Sequence, residues 1–146
     1  MDIDRFGQRM IALLPQMMRG FVRRESNYLS RGKITLPQLG VLEYLSGRTE
    51  SPMNGLARHL GVTRPAVTGL ADRLIAQGLV SRQGDAKDRR VIRVKLTSKG
   101  RRVLENIWSQ KRRMIQQVFG RVSPANRAQY LATLERVVEI LSEEKR

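Results

Sequence analysis

The sequence predicts a mostly α-helical chain that carries one small β-hairpin. Two observations carry this. Apolar residues recur at spacings of three and four through most of the chain, bracketed by helix-start residues (Thr35, Ser51, Thr63, Thr97, Ser123) and helix-stop glycines (Gly47, Gly61, Gly78). Only between Leu79 and Leu96 does that period give way to strict alternation, the mark of strands.

The first helix places Ile3, Phe6, Met10, Leu13, Met17 and Phe21 on one stripe, which Leu14 and Met18 widen. Pro15 should kink this helix or restart it, because proline lacks the N–H that the ladder needs. Such a stripe serves either the chain's own core or a partner subunit. Thr35-Leu36-Pro37-Gln38 then has the form of a capping box, the threonine hydroxyl accepting from the Gln38 amide while the glutamine side chain reaches back. A helix follows to about Ser46 with Leu39, Leu42 and Leu45 inward. Ser51-Pro52 reads as a second start, serine as N-cap and proline in the first helical position. That short helix carries Leu56, Ala57 and Leu60 and stops at Gly61. Thr63 caps a longer helix that runs to Gln77, and Gly78 closes it.

Leu79-Val80-Ser81-Arg82 forms one strand. Ile92, Val94 and Leu96, alternating with Arg93 and Lys95, form its partner, and Gln83 to Arg90 make a long basic tip. Thr97 opens a further helix with Val103, Leu104, Ile107, Ile115, Val118 and Phe119 as apolar positions. Ser123-Pro124 starts the last, with Leu131, Leu134, Val137, Val138 and Leu141 along one side.

Composition narrows the function. Twenty-eight Lys and Arg stand against 13 Asp and Glu, a formal charge of +15 and a pI near 11.5. Residues 52–100 are the most basic third, with a net charge of +7. Such an excess suits a polyanion, since every phosphate neutralised releases condensed counterions. Cysteine is absent, which excludes disulfides, thiolate catalysis and thiol redox sensing. His59 is the single histidine and reads as an ordinary surface residue, so no His/Cys metal cluster can form. No apolar run reaches a membrane-spanning length, and the opening MDIDRFG lacks the basic-then-apolar order of a signal peptide. The expectation is a cytoplasmic chain with no membrane partner. No cofactor or metal is implied. Paired carboxylates, a nucleophile–base set and a phosphate-cradling glycine loop are all missing, so an enzyme is not expected.

A short helix, a glycine turn, a longer helix and a basic hairpin, in that order, make a winged helix-turn-helix, in which the second helix enters the major groove. On a helical wheel Val67, Leu70, Ala71 and Leu74 of that helix cluster toward the core. Pro65, Gly69, Asp72 and Ala76 lie opposite, small enough to let DNA approach the backbone. The residues able to make contacts are Thr63, Arg64, Thr68 and Arg73. Arginine can give two hydrogen bonds to guanine, and threonine can reach base edges, a thymine methyl or phosphate. Arg64, in the first turn, is the best placed. Arg73 serves either DNA or the hairpin, by bonding Asp85 or Asp72. Lys87, Arg89 and Arg90 crowd the hairpin tip, and arginine is favoured in a narrow minor groove.

These residues also form a specific pattern. Leu56-Ala57-Arg58-His59-Leu60-Gly61-Val62-Thr63, Val67-Thr68, Asp72-Arg73-Leu74 and Gly78-Leu79-Val80-Ser81-Arg82 resemble the multiple antibiotic resistance regulator (MarR) family. So do Asp85-Ala86-Lys87-Asp88-Arg89-Arg90 and Val94-Lys95-Leu96-Thr97-Ser98-Lys99-Gly100, with Ile34-Thr35-Leu36-Pro37-Gln38 upstream. The resemblance spans about residues 34–100. It implies a transcription regulator, more often a repressor, acting as a homodimer on a roughly palindromic DNA site. The winged domain would be 34–100, and 1–33 and 101–146 would supply intertwined dimerisation helices packed as one compact unit. The resemblance places Arg90 in the minor groove, with Asp88, and Asp85 at the wing's start, supporting the loop. It also implies a small, often aromatic, anionic effector, for which Arg9, Arg19 or Arg23 would supply charge and Met17, Met18 and Trp108 a lining. Two departures stand out. Ala86 occupies a position where the family often has proline, and the cysteine of peroxide-sensing members is missing. A sequence-indifferent architectural DNA binder and a winged helix used for protein contacts are the competing readings.

Overall fold

The computed structural model describes residues 1–25 and 31–143. In chain order these form α1 (Ile3–Arg24), α2 (Leu36–Ser46), β1 (Ser51–Pro52), α3 (Met53–Leu60), α4 (Arg64–Ala76), β2 (Val80–Gly84), β3 (Ile92–Leu96), α5 (Ser98–Phe119) and α6 (Pro124–Glu143). The mostly helical class and the single hairpin are as the sequence predicts. No helix among the described residues is long and apolar enough to cross a membrane. The internal contacts of the chain divide it into two units, Met1–Gln110 and Lys111–Arg146.

In the first unit, α1 is one continuous helix through Pro15, so of the two expected outcomes, a kink or a restart, the restart does not occur. None of its residues is buried. Ile3 and Ile11 are about three-quarters exposed, at 77% and 76%. The capping box of α2 forms in full: the Thr35 amide donates to Gln38 Oε1 (2.9 Å), and the Gln38 amide donates to Thr35 Oγ1 (3.3 Å). Gln38 is itself buried, so this box also satisfies a polar side chain that would otherwise be costly to enclose.

Ser51 and Pro52 depart from expectation. They do not start a helix but form an edge strand, with Ser51 opposite Val94 and Pro52 opposite Arg93. Pro52 is extended (φ −64°, ψ 147°) and precedes α3 without any side-chain cap. The reason lies in burial. The Ser51 hydroxyl is enclosed beside the Tyr44 hydroxyl (3.4 Å) and donates to the Pro52 carbonyl (3.1 Å), and no amide of α3 donates to it. Proline is tolerated because an edge strand can dispense with one donor. The sheet is antiparallel with order β1-β3-β2, which makes β3 the centre strand. Val80 faces Leu96 across it, and Gly84 faces Ile92.

One core joins these elements. Val41, Leu42 and Leu45 of α2, Leu56 of α3, Val67, Ala71 and Leu74 of α4, Val94 of β3 and Leu104 and Ile107 of α5 are essentially inaccessible. Truncating any of the leucines to alanine would cost about 2–5 kcal/mol. Gly61 ends α3 in the left-handed region at φ 65°, where the αL cap favours glycine. The hairpin is fastened to its neighbours at Thr97, whose amide donates to the Leu79 carbonyl (3.1 Å). Its hydroxyl donates to the Gly78 carbonyl (2.6 Å) and accepts from the Gly100 amide (3.0 Å). Thr97 therefore caps α5 and anchors the chain entering β2 at once.

The second unit holds the end of α5, a turn at Gly120 and α6. Ser123 caps α6 as expected, its hydroxyl accepting from the Asn126 amide (3.3 Å). Phe119 and Tyr130 meet with ring centroids 5.4 Å apart. No residue of α6 is buried, and Leu131, Val138 and Leu141 are each more than half exposed.

Candidate nucleic-acid interface

Helix α4 divides as the helical wheel requires. Val67, Ala71 and Leu74 are buried and Leu70 is half-buried, while Pro65, Gly69, Asp72 and Ala76 are exposed. Thr63 is the N-cap, its hydroxyl accepting from the Ala66 amide (3.3 Å). One of its lone pairs is thus committed to the helix, leaving the hydroxyl proton free. Arg64 is the first helical residue and is exposed. Thr68, one turn on, donates its hydroxyl back to the Arg64 carbonyl (2.8 Å), so toward a ligand it offers an acceptor and a methyl. Arg73 lies exposed near the end of the helix.

The hairpin-bonding alternative for Arg73 is corrected, because both aspartates expected to receive it pair with other arginines. Asp72 is taken by Arg82 of β2 (3.4 Å), and Asp85 by Arg93 of β3 (2.7 Å). Among the described residues the Arg73 side chain has no hydrogen bond or ion pair. The reason is that Arg82 Nη1 reaches Asp72 Oδ1 from the neighbouring strand, while Arg73 bonds neither aspartate. That exposed pair is worth at most about 1 kcal/mol. Its effect is to tie the strand that enters the wing to the helix beside it.

The wing is organised by two aspartates. Asp85 Oδ1 accepts from the amides of Lys87 (2.8 Å) and Asp88 (3.1 Å), a turn in which a carboxylate stands in for a backbone carbonyl. Its Oδ2 accepts from Arg93 Nε (2.7 Å). The loop closes through the Asp85 amide to the Val91 carbonyl and the Val91 amide to the Asp88 carbonyl, each 3.0 Å. Asp88 then holds Arg90 three times. Its Oδ1 accepts from the Arg90 amide (3.0 Å) and Nε (3.1 Å), and its Oδ2 from Nη2 (3.2 Å). The Arg90 side chain is nevertheless 90% exposed, a guanidinium braced on one edge and open on the other. Lys87 and Arg89 are exposed on either side of Asp88.

The charges respond to this wiring. The Arg93 hydrogen bond, with the Lys87 and Asp88 amides behind it, holds the Asp85 carboxyl below the ordinary aspartate value. The Arg90 side chain and then its amide do the same for Asp88. Arg93 is raised in turn, chiefly by Asp85. Sequence reasoning missed the roles of Arg93 and Arg82, which it named only as strand residues. The signal available was symmetry about the turn, which sets Asp85 two residues beyond Gln83 on the turn side and so on the same face as the pair Gln83–Arg93. The four candidate effector residues sit elsewhere: Arg9, Met17 and Arg19 on α1, and Trp108, 38% exposed, on α5.

A helix with an exposed, small-residue face and free arginines at both ends, followed by a braced basic loop, is a DNA-binding winged helix-turn-helix. Comparison with known proteins makes the class particular. Residues 33–91 match the MarR family model. The HTH-type transcriptional regulator FarR of Neisseria gonorrhoeae is 29% identical over 117 residues, 78% of this chain and 80% of that protein. A MarR-like transcriptional regulator of Thermotoga maritima has a solved structure that is 29% identical, covers 97% of this chain and 98% of its own, and superposes with a TM-score of 0.71. BpsR of Bordetella bronchiseptica, whose DNA binding is regulated by 6-hydroxynicotinic acid, is 25% identical with a TM-score of 0.65, over 89% of this chain and 98% of that one. Residues 33–91 thus carry the MarR-family match, and over most of its length the chain is similar to DNA-binding transcriptional regulators.

Proposed function

We propose that this regulator is a cytoplasmic homodimeric repressor that reads a roughly palindromic operator and blocks the promoter it occupies. The observation that carries the DNA-reading part is the wing tip, where Asp88 holds Arg90 by three hydrogen bonds yet leaves it 90% exposed. A guanidinium fixed in this way loses less entropy on entering a groove than a free one does. Lys87 and Arg89 supply phosphate contacts beside it. At the other element Arg64, Thr63, Thr68 and Arg73 face the major groove, with Arg64 nearest the bases because it occupies the first turn.

Dimerisation is supported by what α1 and α6 leave uncovered. Neither helix buries a residue, and apolar side chains exposed this densely on a monomer mark an association surface. Residues 1–33 and 101–146 are accordingly the dimerisation segments around the 34–100 winged domain. For release from DNA, BpsR supplies the precedent of a small aromatic acid. Here Arg9 and Arg19 offer charge to such a ligand, and Met17 and Trp108 offer apolar surface.

Selection of bound sequences from a random DNA pool tests the reading. The expected outcome is a palindrome whose half-sites are about 10 bp apart, centre to centre, bound at least ~10³ times more tightly than random DNA at physiological salt. Equal binding to both pools would replace it with a sequence-indifferent architectural role. Addition of 6-hydroxynicotinic acid to the complex tests the effector class, with Arg9→Ala and Arg19→Ala expected to blunt any release.

A further inference from the structure

Arg93 is an unusual residue to find on the centre strand of so small a sheet. Its side chain is only 34% exposed, and its Nε lies 2.7 Å from Asp85 Oδ2 and 3.6 Å from Glu50 Oε1. Glu50 directly precedes β1, and Asp85 directly follows β2, so this guanidinium gathers carboxylates from both edges of the three-stranded sheet. The backbone of Arg93 is equally central, paired with Pro52 on one side and Gln83 on the other.

From Arg93 outward the bonds run in series. Asp85, held by Arg93 through Oδ2, uses Oδ1 to fix the Lys87 and Asp88 amides. Asp88, its backbone so fixed, orients Arg90. Arg93 is thus the only side chain in this series that reaches from the body of the sheet to the loop. Asp85 is the least exposed of the wing carboxylates, at 16% against 40% for Asp88, so it is the link least able to exchange its partner for water.

We propose that Arg93 is a positioning residue for DNA binding: it sets the wing tip through Asp85, with Glu50 as its second anchor, and does not itself touch DNA. This rests on the reading that the wing contacts DNA. A competing account makes Arg93 one more cation in the field of the phosphates. The two differ in sign at Asp85. If charge alone mattered, Asp85→Asn would remove an anion from a DNA-facing loop and tighten binding. The brace requires Asp85→Asn to weaken it.

Arg93→Ala, Asp85→Asn and the double variant should be measured for affinity to the selected operator. In the DNA-free protein, the amide proton shifts and exchange rates of Lys87 and Asp88 should be followed alongside. The brace predicts that each single change weakens binding about tenfold, as expected for loss of one charged hydrogen bond. The double variant should be no weaker than the worse single one. Faster exchange at both amides should accompany the loss in Arg93→Ala. Tighter binding by Asp85→Asn, additive losses, or amides unchanged in Arg93→Ala would each overturn the proposal. Fast exchange combined with wild-type affinity would show instead that the wing is braced as described but is not used on DNA, which is the failure of the underlying reading. Glu50→Gln, a milder change at the second anchor, should give a smaller loss in the same direction.

Discussion

At the scale of single residues, the wing gains its shape from two carboxylates, and that makes its chemistry dependent on their ionisation. Both Asp85 and Asp88 are held below the ordinary value of 3.8 by the donors around them. A carboxylate whose pKa falls on folding contributes stability that is complete above its unfolded value and is lost as pH falls through the folded one. The wing should therefore stay intact from neutral pH down to about 3.8 and loosen only below it. An NMR pH titration of the Lys87, Asp88 and Arg90 amides checks this, and midpoints above 3.8 would contradict it. Between pH 5 and 8, then, these two groups add no pH dependence to DNA binding. Arg90→Ala should weaken binding to all sequences and lower the salt slope by about 1, because one phosphate-rich contact disappears. An unchanged slope would remove Arg90 from the groove.

Among the elements, α4 does two jobs with one residue. Thr63 caps the helix and is also a candidate for the DNA surface. Thr63→Ala should cost about 1 kcal/mol of stability through the lost cap. Thr63→Ser keeps the cap, so a fall in affinity with Ser but not in stability would isolate the methyl as a contact. The joint between hairpin and α5 is stricter. A Cβ on Gly100 would overlap the Leu79 carbonyl and press on Leu96 Cδ1, so Gly100→Ala should destabilise by roughly 1–3 kcal/mol, read by thermal or urea unfolding. These elements were mostly legible in the sequence, because capping residues and periodicity are local signals. Thr35 with Gln38, Gly61, and the split faces of α4 all follow from neighbours in the chain. Ser51-Pro52 was misread because the same dipeptide serves a helix start and an edge strand, and only the distant Val94 decides between them. The candidate site divides in the same way. Its exposed cations were legible one by one, while the pairs Arg82–Asp72 and Arg93–Asp85 were hidden because they cross between elements.

For the whole molecule, the uneven placement of apolar surface is the strongest constraint. The first unit buries a full core between α2, α3, α4, the sheet and α5, whereas α1 and α6 bury nothing. Association should therefore be tight and driven by these two helices. Leu134→Glu on α6, where Leu134 is 40% exposed, should convert the proposed dimer to monomer in analytical ultracentrifugation. It should also weaken operator binding far more than binding of a single half-site. A dimer untouched by Leu134→Glu and by a matching Leu13→Glu on α1 would place the interface elsewhere.

Gly69 shows what the exposed face of α4 means for change over time. A Cβ there meets nothing within 4 Å, so alanine fits without a clash and should raise helix stability by up to about 1 kcal/mol. The chain forgoes that gain at an accessible helical position. If DNA lies against this face, Gly69→Ala should fold more firmly and bind its operator less well, a trade between robustness and recognition confined to one methyl group. The same vacancy makes position 69 a place where a new side chain can be offered to bases without disturbing the core. A library at this one codon, selected against altered operators, is therefore a direct route to regulators with new addresses.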